Sequence, residues 1–148
     1  MDRFNTENEI YDLVGEFERT TISRDEWKHA EHLTVALFYL VNFEKGTALN
    51  KMRDGIHALL TKGFGVDLSV EMPYHETLTV FWMNTVAEFA EKNPELSLME
   101  KANVLINKYD KDHPLLFYSR EVLFSDTARS VWVEPDITKP ATRSIDRG

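Results

Sequence analysis

The chain has no cysteine among its 148 residues. Disulfides, thiolate metal sites and cysteine nucleophiles are thereby excluded. Basic charge is scarce as well. Lys and Arg number 17 against 25 Asp and Glu, a formal net charge of −8. Nonspecific binding to nucleic acid or to an anionic membrane needs basic surface, so neither partner is expected. A small basic pocket stays open. There is no long apolar run: the longest, LTVALFYLVNF from Leu33 to Phe43, falls well short of the roughly 20 residues of a membrane span. The opening MDRFNTENEIYDLV is acidic and polar and shows no signal peptide. A cytoplasmic protein is the expectation. Phosphate loops are missing too. KGFG, Lys62 to Gly65, has neither the Walker nor the dinucleotide spacing. No Gly-x-Ser-x-Gly elbow occurs.

What is present is ordinary for a globular domain: 43% hydrophobic and 28% charged residues. A chain of this length suits one domain with a real core. Thr6 with Glu9 has capping-box spacing, and Ile10, Leu13, Val14 and Phe17 follow as a helical stripe. Ser23 with Glu26 repeats the spacing and predicts a long second helix from Arg24 to Glu44, stopped at Gly46. Leu49, Met52, Ile56, Leu59 and Leu60 mark a third helix, ended by Gly63 and Gly65. Pro73 suits the first turn of a fourth, Tyr74 to Glu91, which Asn93-Pro94 ends. Ser97 with Glu100 starts a fifth, to Tyr109. Short helical turns then close the fold. No alternating pattern reads as a strand. The prediction is an all-α, single-domain bundle of about five to seven helices over residues 1–136. Residues 137–148, with few apolar side chains, read as an extended or disordered tail.

Two stretches carry possible chemistry. EWKHAEHLTV, Glu26 to Val35, spaces His29 and His32 three apart on a helix with several apolar sides. PYHETLTVFW, Pro73 to Trp82, adds His75 beside Glu76, with Thr79 four residues after His75. If helices two and four pack side by side, His29, His32 and His75 converge. Three imidazoles beside a carboxylate suit zinc or non-haem iron. The zincin and di-iron spacings are both absent. A structural polar network, the leading alternative, and a metal-free pocket stay open beside the metal site, because a buried imidazole needs partners whatever its role. Glu76 is a candidate general base, its pKa raised by Tyr74 and Trp82. It is also well placed merely to complement a helix dipole. His57 and His113 look incidental. Aromatics Phe117, Tyr118, Phe124 and Trp132 suggest a closing segment that covers the core, from which Arg120 or Arg129 could reach an anion.

WKHAEHL (Trp27 to Leu33), YHETLT (Tyr74 to Thr79), and LFSDTAR with VEPD (Leu123 to Arg129 and Val133 to Asp136) resemble blocks shared, in that order, by a family of small uncharacterised bacterial proteins. The resemblance spans Phe17 to Asp136. It implies no activity, substrate or cofactor. It does imply that both histidine blocks and Arg129 belong to one unit. The expected site therefore comprises His29, His32 and His75 as candidate metal ligands and Glu76 with His75 as candidate acid–base residues. Trp27, Tyr74, Thr79 and Arg129 are its candidate ligand contacts. Two functions follow. One is a helical protein that binds a small molecule, with or without catalysis. The other is a non-catalytic interaction module whose histidines only fix the core. Oligomeric state is not legible in the sequence.

Overall fold

The computed structural model describes residues 2–137. Seven α-helices follow one another: α1 Glu7–Glu18, α2 His29–Asn42, α3 Lys45–Ala58, α4 Glu76–Lys92, α5 Leu98–Lys108, α6 Arg120–Leu123 and α7 Asp126–Ser130. A π turn, Leu59–Gly63, prolongs α3, and a 3-10 turn, His113–Leu116, precedes α6. No strand occurs among the described residues. The all-α prediction holds.

Helix α2 is the centre. It packs on α1, α3, α4 and α5, most extensively on α4. Leu33, Val35, Ala36 and Leu37 on it are fully buried. Enclosing a side chain of Val or Leu size contributes roughly 1.5–3 kcal/mol each, so a helix buried on most sides anchors the bundle. The N-terminal arm is tied in by Asn103 on α5. Its side chain accepts the Phe4 N–H at 3.0 Å and donates to the Phe4 carbonyl at 2.9 Å. The capping boxes expected at Thr6 and Ser97 both form, and α1 and α5 start there.

Three boundaries differ from the sequence expectation. Ser23 and Glu26 do exchange capping hydrogen bonds, but they close only a single turn. Lys28 is extended (φ −118°, ψ −174°), and α2 starts after it, at His29. Trp27 thus precedes the helix instead of lying on it. Gly46 is no stop: the chain breaks at Phe43, and Gly46 lies in the first turn of α3. Helix α4 starts at Glu76, so Tyr74 and His75 belong to its approach. Of the expected tail, Ile137 is described, and its N–H donates to the Phe117 carbonyl at 2.9 Å. The rest of that tail, 138–148, lies outside the described residues. Among the described residues, no helix is long and apolar enough to cross a membrane.

Candidate functional site

A groove of about 350 Å³ opens between the start of α2, the end of α3 with its π turn, and the approach to α4. Trp27, Lys28, His29, His32, Tyr74, His75 and Thr79 supply its polar and aromatic lining, and Ile56, Leu60, Pro73 and Leu78 its apolar lining. Six of the residues picked out from the sequence therefore meet on one surface: Trp27, His29, His32, Tyr74, His75 and Thr79. The apolar four went unnoticed as site residues. The helical spacing of Ile56, Leu60 and Leu78 marks them as buried-face residues and says nothing about which of them stop short of full burial; Pro73 reads only as a helix-start residue.

Local structure explains each position. Trp27 stacks on Phe17, ring centroids 4.9 Å apart and planes 17° from parallel. Phe17 in turn lies against Gly55 of α3, where an added Cβ would stand 2.4 Å from the ring. A glycine inside a helix costs roughly 1 kcal/mol relative to alanine, and here it admits the ring that supports Trp27. Leu60 comes from the π turn, held by the Phe64 N–H to the Leu59 carbonyl at 2.8 Å. Such widened turns reset the direction of the side chains that follow.

The histidines differ in what their ring nitrogens do. His75 is buried and is the N-cap of α4. Its Nδ1 accepts the Leu78 N–H at 3.1 Å, and its Nε2 lies 2.6 Å from the Leu123 carbonyl. Only the Nε2–H tautomer satisfies both bonds. Burial lowers its pKa, the Leu123 hydrogen bond opposes this, and the nearby Arg129 charge adds to the lowering. The ring is therefore neutral and fully engaged. His29 places Nε2 2.9 Å from the Tyr109 carbonyl and packs against Trp82 at 4.9 Å. The His32 ring makes no hydrogen bond to any described residue, although its backbone N–H donates to the Lys28 carbonyl at 3.0 Å; the ring touches Trp27, centroids 5.8 Å apart. It keeps some exposed surface towards the groove, yet the ring is enclosed on its other sides. Burial, reinforced by neighbouring His29, pushes its pKa down to about 4.

The expected ligand set is not assembled. No three His, Cys, Asp or Glu side chains among the described residues are grouped as a metal ion requires. The reason is visible in the bonds: both nitrogens of His75 are spent on backbone groups, and one of His29's as well. Glu76 also departs from expectation. Arg53 of α3 grips it with two bonds, Nε to Oε1 at 3.0 Å and Nη2 to Oε2 at 2.6 Å. The Tyr74 hydroxyl donates to Oε1 at 2.6 Å. The Arg53 bond lowers the Glu76 pKa despite burial, the opposite of what a general base at neutral pH needs. Burial, then the Glu76 carboxylate, push Tyr74 up to about 12. His57 packs on Tyr74 at 4.3 Å and completes this corner.

The YHETLT block is thus mainly a clamp. Thr77 donates to the Val131 carbonyl at 2.8 Å and accepts the Val133 N–H at 3.1 Å. Thr79 returns its hydroxyl to the His75 carbonyl at 2.9 Å. Tyr118 donates to the Val133 carbonyl. With His75 on Leu123, these bonds hold the closing segment to α4. Arg129, on α7, does not line the groove. It acts on His75 through its charge, and no carboxylate among the described residues pairs with it. A comparison of the chain with family models, curated proteins and solved structures found no match. The resemblance in the three blocks therefore gains no support there, and the reading of the site rests on its geometry alone.

Proposed function

We propose that the chain binds a small, largely apolar molecule with one polar group, in the groove between α2 and α4. The observation that carries this reading is His32. An imidazole with neither nitrogen hydrogen-bonded to the protein costs stability unless something else meets it, and His32 faces a groove of ligand-site size with Trp27, Ile56, Leu60 and Leu78 around it. The reading assigns binding and no reaction: Glu76 and His75 are committed to Arg53, Tyr74 and backbone groups. A small-molecule ligand needs no metal here.

Thermal and chemical unfolding with a set of straight-chain and phenyl-bearing alcohols, amides and acids of about ten heavy atoms tests it. A true ligand stabilises by about 2.7 kcal/mol at a hundred times its Kd. The gain should vanish in Leu78→Trp, which fills the groove from its half-buried wall. If no member of the set stabilises the protein, or if Leu78→Trp responds like the native chain, the reading fails.

One observation favours the interaction module instead. Val41 and Phe43 are 46% and 40% exposed and line a groove with Leu40, Ala87 and Ala90, bordered by Glu44, Lys45, Glu91 and Lys101. In that reading no small molecule binds, and replacing His32 moves stability alone.

A further inference from the structure

We infer that the ligand of the groove is a small carboxylic acid with an apolar body, its carboxylate at His32 and its body against Trp27, Ile56, Leu60 and Leu78. The inference deepens the binding reading above and rests on it. Its starting point is charge. The protein carries 25 acidic residues, yet none lines this groove. The neighbouring groove, across Lys28, is lined by six carboxylates: Glu9, Asp12, Glu16, Asp25, Glu26 and Glu31. Against an acidic surface, a pocket free of carboxylates and edged by Lys28 is the place where an anion meets least repulsion.

The groups facing His32 support the same choice. From its own helix and the turn before it come Lys28 and His29, neither of them acidic. From the approach to α4 come Tyr74 and His75. The Tyr74 proton is engaged by Glu76, and both His75 nitrogens by backbone. Glu76 itself is neutralised by Arg53. From α3 and the π turn come only Ile56 and Leu60. Glu31, adjacent in sequence, points away: its oxygens take the Lys28 N–H at 3.1 Å and Arg3 at 3.1 Å. Nothing in the groove competes with a ligand oxygen for His32.

The chemistry that follows is a linked protonation. In the free protein, enclosure keeps the ring neutral at ordinary pH. A carboxylate arriving at hydrogen-bond distance favours the imidazolium. One proton then passes from solvent to His32 for each carboxylate bound. The product is a charge-assisted N–H to oxygen contact, and no covalent bond forms or breaks. An alcohol or amide of the same size brings no charge and takes up no proton.

Calorimetric titration of the full chain with sodium octanoate and with 1-octanol tests this. Each is run at pH 5.5 and 7.5 in two buffers of different ionisation enthalpy. Octanoate should bind with a proton uptake approaching one at pH 5.5, and its affinity should fall by up to about tenfold per pH unit as pH rises. His32→Gln, with its fold checked by circular dichroism, should abolish the uptake and weaken octanoate by roughly tenfold or more. If octanol binds as tightly as octanoate, the acid is wrong, and if octanoate binds without uptake, its carboxylate is not at a protonated His32; in both cases the inference falls and the groove reading survives. If octanoate binds equally well to Leu78→Trp, its site lies elsewhere and the inference falls. If neither compound binds, the inference falls, and the unfolding screen above decides separately whether the groove takes anything.

Discussion

His32 and His75 line the same groove and are the same residue type, yet they hold opposite positions. His75 is one of the best-satisfied side chains in the protein: Nδ1 caps α4 and Nε2 holds the closing segment through Leu123. Neither ring nitrogen of His32 has a hydrogen-bond partner among the described residues. The difference teaches which of two similar residues is architecture and which is available. A histidine with both nitrogens on backbone groups cannot exchange partners without releasing those groups. A histidine with neither engaged gives up nothing when a ligand arrives.

Mutation and pH can break that comparison, and the largest effect is expected at His75. His75→Ala removes a helix cap, worth about 1 kcal/mol. It also leaves the buried Leu123 carbonyl unmet, which costs roughly 1–3 kcal/mol more. Urea unfolding should show a loss of about 3 kcal/mol, with His75→Asn recovering about 1 of it by restoring the cap. A loss below about 1 kcal/mol would mean that other bonds carry the closing segment and that His75 is less committed than its geometry states.

Acid titration of stability comes next. The folded pKa of His32, about 4, lies below the usual 6.5. The unfolded chain therefore binds the proton more readily, and stability falls as pH drops through 6.5 towards 4. This contribution amounts to about 2 kcal/mol at pH 4.5. His32→Leu removes it, so the variant should lose less stability than the native chain between pH 7 and 4.5. At pH 7 the variant should be at least as stable as the native chain, because no protein hydrogen bond is lost and an unmet, enclosed imidazole gives way to an apolar side chain. Parallel curves would show that His32 is not the enclosed, unpaired ring described. The smallest effect belongs to Glu76→Gln. The Arg53 pair is partly exposed, with the Arg53 side chain at 31%, so the loss should be about 1 kcal/mol. Octanoate affinity should stay unchanged, since Glu76 does not line the groove. A marked change in affinity would bring Glu76 back as a ligand contact.

The two grooves beside Lys28 sharpen the contrast. One is walled by carboxylates and the other by histidines and apolar side chains. Around Lys28 their residues alternate along the chain, Asp25, Glu26 and Glu31 on the one and Trp27, His29 and His32 on the other, so local charge there does not foretell them. Helix geometry separates them: Glu31 turns back towards Arg3 and the Lys28 N–H, and His32, the next residue, turns to the other side.

Much of this was legible beforehand. Thr6 with Glu9 and Ser97 with Glu100 name their helix starts, because a capping box is a local bond pattern. Ser23 with Glu26 shows the limit: the same bonds form, but an extended Lys28 ends the turn. The convergence of His29, His32, Tyr74, His75 and Thr79 on one surface follows from α2 packing against α4. The roles of these residues were not legible. Glu76 looked like a carboxylate in aromatic surroundings, and it turned out to be gripped by Arg53, 23 residues earlier. No spacing rule links two side chains on different helices.

By itself, then, the sequence determined an all-α chain and a central second helix, because periodicity and capping are properties of neighbours along the chain; that the two histidine blocks meet was conditional on α2 packing against α4. The tertiary structure decided that His75 and Glu76 are held, that no three ligands gather for a metal among the described residues, and that His32 faces a groove without a partner. Those outcomes depend on which distant carbonyl, guanidinium or apolar wall each side chain meets, and only packing sets that.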